Sequence, residues 1–505
     1  MQFFKYILII FLSLSGVLGS IPGFAQENIC VPDTNHYNWL HKELNYLQYY
    51  DRSALSYFYS KWSKPGEAIT IAHLGDSHLQ SDIFPGELRK NLQNVKGYAG
   101  RGMIFPFSIA KTYSANDLKS TYSGAWQCSR SVEHYPKLPL GASGATCRTV
   151  DPNASFTFTF KTDALQRNKI LKIYCKKSES SFDLIVRSGE RRVVVLVDSS
   201  KETPYVQVDL PEGTGDSFTI QMLKHHDYEK EFELYGVSLE ATPGSGVMLH
   251  CLGIGGAMYS SVVREELFQD HFPSLNADLV IIDFGTNDFL YTDKVPEDME
   301  AQIKNVIAKI RVAAPKASIL LTSAQDMYRK GKNIRSGEEF SDLVRKIAKD
   351  ENCAFYDWYW ISGGPRTMTI WQARQLALPD MIHLSPPGYR LKGTLLTEAF
   401  LKTMQLYQAK TESIVLSVDS LKAKARQEEL SLPPEQTPVM PKSSSQKNNV
   451  SSGYKIIYHK IKPGETISTI AQKYHVSQNS IMTLNHLQNT RIVSGKTLKI
   501  KVKAR

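Results

Sequence analysis

The sequence predicts an α/β protein in three layers, a parallel sheet between helices, with an all-β segment set into it. Three observations carry this. Near-continuous apolar runs at 69–74, 247–252, 279–284, 318–323 and 354–357 have the character of strands covered on both faces. Helical patterns at 296–314, 336–351 and 388–406 separate several of them, and strand alternating with helix builds a parallel sheet. Between 111 and 245 the rhythm changes to short alternating runs, at 154–160, 171–174, 193–197, 205–208 and 218–222, parted by Gly, Pro, Asp and Ser. No convincing helix interrupts them, so this stretch reads as an inserted β-sandwich.

Residues 1–25 run from Lys5 through the apolar stretch 6–12 to Gly23-Phe24-Ala25, the pattern of a secretory signal peptide cleaved after Ala25. The apolar run is shorter than the ~20 residues of a membrane span, and no later stretch is long and apolar enough, so no stable membrane insertion is expected after cleavage. The aromatic-rich run 37–62 has helical spacing and leads into the first strand. The expected organisation is an α/β domain in two parts, 26–110 and 246–409, around the insert at 111–245. A polar, then Pro/Ser/Lys-rich linker, helical in part at its start, follows at 410–453, and a compact module at 454–505. Six cysteines in an exported chain suit disulfides, with Cys128 and Cys147 the favoured pair. None has C-x-x-C spacing, and they lie too far apart for a metal cluster.

The formal net charge of +10 is uneven. Residues 410–505 hold sixteen Lys and Arg against six Asp and Glu, so that segment carries all of it and the body is neutral. A basic tail on a neutral body suits an anionic polymer, and for an exported chain that is a wall or envelope glycan in preference to nucleic acid.

Three distant strings fall at or after strand ends: Gly75-Asp76-Ser77-His78, Gly285-Thr286-Asn287-Asp288 and Asp380-Met381-Ile382-His383. A serine alcohol is a poor nucleophile until a histidine takes its proton, and the oxyanion that forms needs fixed donors. Singly, Asn287-Asp288 also suits a cap, Asp380 a turn and His383 an exposed surface position. Together, in this order, they resemble the SGNH (GDSL-like) hydrolases, which implies esterase chemistry on a flavodoxin-like sheet with the site at the carboxyl ends of the strands. The resemblance implies Ser77 as nucleophile, His383 as base and Asp380 as its orienting carboxylate. It implies an oxyanion hole from the Ser77 and Gly256 N–H groups and the Asn287 amide. Gly253-Ile254-Gly255-Gly256-Ala257 departs from the family's second block, with Ala257 where Asp is usual and Gly255 as a competing donor. Asp76 and Asp288 read as loop braces. His78 in place of the common Leu, and the 179-residue gap from Ser77 to Gly256 that holds the β insert, resemble the peptidoglycan O-acetylesterase branch.

The run 458–474, containing Pro463-Gly464-Glu465-Thr466, resembles the opening of a LysM domain, with 476–485 and 492–500 fitting its second helix and closing strand. That resemblance implies a small βααβ unit that binds N-acetylglucosamine-containing glycans such as peptidoglycan. Gly464, Glu465, Thr466 and Ile467 on one loop and Arg491, Ile492, Val493 and Ser494 on the other are the expected contacts, although Gly464 and Thr466 suit a turn and a helix cap equally.

The expected function is an exported, cofactor-free and metal-free serine esterase that removes O-acetyl groups from peptidoglycan in the periplasm or at the cell wall. Its rivals are an esterase or acetyltransferase acting on another polysaccharide, and a non-catalytic glycan-binding protein.

Overall fold

The computed structural model describes residues 37–431, apart from 162–166, 169, 198–201, 211–214 and 243, and residues 454–503, apart from 463–464, 475, 477, 486, 488–491 and 493–494. The expected signal peptide, and residues 432–453 of the expected linker, lie outside the described residues. The chain divides into two compact units, Met1–Glu429 and Leu430–Arg505.

Five parallel strands form the central sheet of the first unit: β1 (Ala68–Gly75), β2 (Gly246–Gly253), β3 (Leu279–Asp283), β4 (Ser318–Thr322) and β5 (Ala354–Tyr356). Their spatial order is β2-β1-β3-β4-β5. This is the flavodoxin-like order, whose switch point lies beside β1 and β3. Apolar residues face both ways. Ala72, Leu74, Val280 and Ile282 enter one buried cluster, and Ile69, Ile71, Leu279 and Ile281 enter the other. Helices cover both faces: α1 (Ser77–Gln80), α2 (Phe84–Lys96), α3 (Met299–Ala313), α4 (Ser336–Asp350) and α5 (Pro386–Gln408). In α3 the buried Met299, Ile303, Val306, Ile307 and Ile310 recur at helical spacing and make one apolar stripe. Ser385 caps α5 by accepting from the Gly388 N–H, and prolines fill its first turn. The three-layer α/β/α class expected from the sequence is the one observed.

The helical spacing of 37–62 becomes α-helix only at Ser56–Trp62. Upstream lie two 3-10 turns, Lys42–Leu44 and Arg52–Leu55, the second capped by the Asp51 carboxylate accepting from the Ser53 N–H at 2.7 Å. The chain is extended between them because Gln48 and Tyr49 bridge to Phe355 and Ile414.

The insert is two antiparallel sheets face to face. One runs, in spatial order, Tyr205–Asp209, Ile170–Cys175, Phe232–Glu240, Ala145–Thr149, Gln127–Arg130. The other runs Leu118–Ser123, Ser155–Phe160, Ser217–Leu223, Asp183–Ser188, Arg191–Val195. Strict alternation, as in Phe156, Phe158 and Phe160, fills the space between them. The Cys128–Cys147 disulfide joins neighbouring strands, and Cys175, Cys251 and Cys353 are free thiols. The sandwich also takes in Gly100–Ile104, which lies before the expected insert and pairs with Phe232–Glu240. One buried cluster runs from sandwich residues such as Phe158 and Leu234 into hydrolase residues such as Val280 and Ile303.

The expected linker begins too early. Ile414 and Val418 are buried, Ile414 exchanges backbone hydrogen bonds with Tyr49, and the helix Asp419–Ser431 pairs Lys422 with Asp342 at 2.6 Å. Apolar residues are sparse in 410–431, but these few meet an open edge of the core.

The second unit is Tyr454–Lys460, Ile467–Tyr474, Gln478–Leu484 and Thr497–Lys503, strand-helix-helix-strand with the strands antiparallel. Ile461, Ile470, Ala471, Ile481, Leu498 and Ile500 form its core. Among the described residues, no helix is long and apolar enough to cross a membrane.

Since burying an Ile and a Val each contributes roughly 1.5–3 kcal/mol, a chain ending at residue 409 is expected to be less stable than one ending at 431. Urea unfolding midpoints measure this. Equal midpoints would mean that 410–431 contributes nothing to the core.

Candidate active site

Ser77 follows β1 directly and opens α1. Asp76 caps that short helix, its Oδ1 accepting from the His78 N–H at 2.9 Å. Ser77 Oγ stands 2.8 Å from His383 Nε2, and His383 Nδ1 stands 2.7 Å from Asp380 Oδ2. Asp380 Oδ1 accepts from the backbone N–H groups of Ile382 and His383, both at 3.0 Å, so the three-residue spacing folds the carboxylate back on to its own histidine.

Electrostatics follow from these contacts. Burial raises the Asp380 pKa, but the His383 side chain and the two backbone donors outweigh it and bring the carboxyl down to about 2. Burial pushes His383 down, yet the Asp380 bond and charge, with the Asp76 charge, leave it above the ordinary imidazole value. Nδ1–H donating to the carboxylate leaves Nε2 free to accept from the serine.

Asn287 lies on the turn Thr286–Phe289 after β3, and its Nδ2 donates to the Ala257 carbonyl at 3.0 Å and to Asp76 Oδ2 at 3.3 Å. Gly255 and Gly256 are the two candidates for the remaining expected oxyanion donor. The Gly255 N–H is committed to Gln80 Oε1 at 2.6 Å, whereas among the described residues nothing accepts from the Gly256 N–H. Gly256 has φ +88°, which favours glycine at this turn. Ser77, Asn287, Asp380 and His383 thus meet at the carboxyl ends of β1 and β3, with the loop 254–257 beside them.

Sequence reasoning missed several members of the site. Tyr113, on the segment leading into the sandwich, donates its hydroxyl to the Ser77 carbonyl at 3.3 Å, and Gln80 Nε2 donates to the Tyr113 carbonyl at 2.7 Å. No periodicity or motif marks either. Beneath the site, Lys392 on α5 pairs with Asp283 at the end of β3 at 3.0 Å, both buried. Burial would raise Asp283, and the Lys392 charge overrides it and holds it well below the usual range. Asp76 has no such direct cation, so burial lifts it to about 7. Asp288, raised by burial to about 7, accepts from the Tyr259 N–H at 3.3 Å and braces the neighbouring loop.

In the second unit the expected contacts separate. Glu465 Oε2 accepts from the Lys462 N–H at 2.8 Å and meets His459 Nε2 at 2.7 Å. Thr466 and Thr469 form a reciprocal cap, each side-chain oxygen accepting from the other's N–H. Ile467 opens the helix Ile467–Tyr474 with its side chain fully buried, and Ile492 is partly buried against the core. Gly464, Arg491, Val493 and Ser494 lie outside the described residues.

Residues 214–391 match the GDSL-like Lipase/Acylhydrolase family, a stretch that contains Gly256, Asn287, Asp380 and His383 and stops short of Ser77. The chain carries a GDSL-like acylhydrolase domain. Residues 459–501 match the LysM domain, so the acylhydrolase is joined to a glycan-binding module. Among solved structures, the chain is similar to one titled "Peptidoglycan O-acetylesterase in action, 5 min", with 21% identity over 73% of this chain and 98% of that one and a TM-score of 0.56. It is also similar to the acetyl xylan esterase AlAXEase, at 20% identity over 30% and 80% of the two chains, and to Axe2, an acetylxylan esterase from Geobacillus stearothermophilus, at 20% over 32% and 73%. Both of these have a TM-score of 0.25. No curated protein sequence matches the chain.

Two measurements check the acylhydrolase site. With His383 as the expected base, its protonation should lower kcat/KM for a small acetyl ester as pH drops. Because Asp380 raises His383, the apparent pKa of that limb should lie above the imidazole value of 6.5. A rate flat from about pH 5 to 8 would exclude a histidine base. Asn287→Ala is expected to lower kcat by roughly 10²–10³ with little change in KM, the usual effect of deleting one oxyanion donor. A rise in KM alone would make Asn287 a substrate-binding residue instead.

Proposed function

We propose that this protein is an exported carbohydrate esterase that removes O-acetyl groups from peptidoglycan, held to its substrate by the LysM module. The observation that carries the reading is the Ser77–His383–Asp380 relay, at 2.8 and 2.7 Å, in a chain that also contains a LysM domain. Support for the substrate comes from the architecture: the solved structure whose title names a peptidoglycan O-acetylesterase is matched over 98% of its length, and the expected signal peptide suits export to the wall.

The chemistry proceeds in two halves. Ser77 Oγ attacks the acetyl carbonyl carbon while its proton passes to His383 Nε2, and Asp380 stabilises the imidazolium. Negative charge on the carbonyl oxygen is met by the Ser77 and Gly256 N–H groups and by Asn287 Nδ2, whose longer 3.3 Å contact to Asp76 is the one released. The tetrahedral adduct collapses, the sugar oxygen takes the proton from His383 and leaves, and Ser77 holds the acetyl group. Water, deprotonated by His383, then attacks the acyl carbon, Ser77 regains that proton as the adduct collapses, and acetic acid departs and ionises to acetate in solvent. Ser77 and His383 end as they began, and the one proton released goes to solvent with the ionisation of acetic acid.

The test is acetate release from O-acetylated peptidoglycan, from acetylated xylan and from a soluble acetyl ester. The parent is expected to prefer peptidoglycan, and Ser77→Ala to release no acetate while still sedimenting with sacculi. Removing 454–505 should spare hydrolysis of the soluble ester and reduce sedimentation, because a tether raises local concentration without altering the chemistry. Preference for xylan, or sedimentation unchanged without the module, would overturn the substrate or the anchor respectively.

A further inference from the structure

We propose that His78 and Tyr389 form a positioning pair that fixes the turn carrying the nucleophile against the turn carrying the base. The proposal rests on the reading of Ser77 and His383 as nucleophile and base, and assigns a reason for the histidine beside the serine. His78 follows Ser77 on α1, and Tyr389 lies in the first turns of α5, six residues after His383. Ser77 Oγ meets His383 Nε2 at 2.8 Å, and His78 Nδ1 meets the Tyr389 hydroxyl at 2.8 Å. Two consecutive residues of α1 are therefore bonded one to the turn before α5 and one to α5 itself. The His78 ring also packs on the His383 ring, with centroids 5.2 Å apart and planes tilted by 39°.

Both members are buried, at 4% and 5% exposure. The buried Tyr389 hydroxyl faces the Leu384 backbone as well as His78, and an aliphatic side chain at position 78 removes the His78 bond. Burial holds the His78 imidazole well below its ordinary pKa, so the ring is neutral and places no positive charge beside His383. His78 Nε2 makes no hydrogen bond among the described residues, which leaves Nδ1 as the ring's polar anchor. The pair acts on the reaction through Ser77 and His383. Leucine at 78 fills much of the volume but cannot tie α1 to α5, and a misplacement of about 1 Å at reacting groups lowers rates by roughly 10².

The test uses steady-state kinetics of the full chain on p-nitrophenyl acetate, with thermal melting as a check on folding. Tyr389→Phe deletes one oxygen and His78→Leu deletes both ring nitrogens. His78→Asn places an amide oxygen where Nδ1 was, whereas His78→Gln places its amide near the Nε2 position. For Tyr389→Phe and His78→Leu, kcat is expected to fall by about tenfold or more with KM within about twofold, as loss of alignment predicts. His78→Asn should recover most of that loss and His78→Gln should not. If His78→Leu fails to fold, Tyr389→Phe carries the test alone. An unchanged kcat in Tyr389→Phe, a change confined to KM, or Asn and Gln variants as impaired as Leu would overturn the pair. Parent-like turnover by Ser77→Ala would instead remove the nucleophile on which the proposal rests.

Discussion

The candidate site depends on how closely three strand ends approach one another. In register, Gly75 stands opposite Gly253 on one side and Asp283 on the other. A Cβ on Gly75 would sit 2.7 Å from the Asp283 carbonyl oxygen, and one on Gly253 would sit 2.5 Å from the Leu79 Cβ. Any side chain at either position forces the strands apart or lifts α1. With none there, α1 settles over the sheet end, and the serine after β1, the loop after β2 and the asparagine after β3 converge on one place. Strand order does the rest, since β1 lies between β2 and β3.

Charge beneath the site ties the fourth contributor to this frame. His383 precedes α5, and α5 is fastened to the end of β3 by the buried Lys392–Asp283 pair. A buried pair repays its desolvation only with good geometry, and removing one partner strands a charge in low dielectric. Here the pair neutralises Asp283 next to Asp76, whose carboxylate caps the helix that Ser77 opens and accepts from Asn287. Stability of the sheet and alignment of the reacting groups therefore share the same few ionisable side chains.

Much of this was legible in the sequence, and the reason is locality. The apolar runs of the five strands, the helical stripe of α3 and the three-residue spacing of Asp380 and His383 are each written within one segment. What depends on meetings between segments was hidden. Tyr113, Gln80 and the Lys392–Asp283 pair carry no pattern of their own, and only the fold brings them to the serine. The motif favours Gly256 and leaves Gly255 as a competitor, and the bond from the Gly255 N–H to Gln80 is invisible in the sequence. Misreadings have equally physical origins. Residues 410–431 are too poor in apolar groups to signal a core, yet Ile414 and Val418 cap an edge. Ile467, an expected contact only through the LysM resemblance, has a buried side chain that no local pattern announces.

The strand Gly100–Ile104 gives the insert a different status from a bead on a string. It leaves the hydrolase, pairs inside the sandwich through Phe232–Glu240, and the chain then re-enters the central sheet at β2 only a few residues later. One apolar cluster spans both parts, while a second, on the other face of the central sheet, belongs to the hydrolase alone. The shared cluster makes the sandwich part of the wall of the hydrolase core, so a change of volume at its inner face is passed to the face of the sheet that it covers.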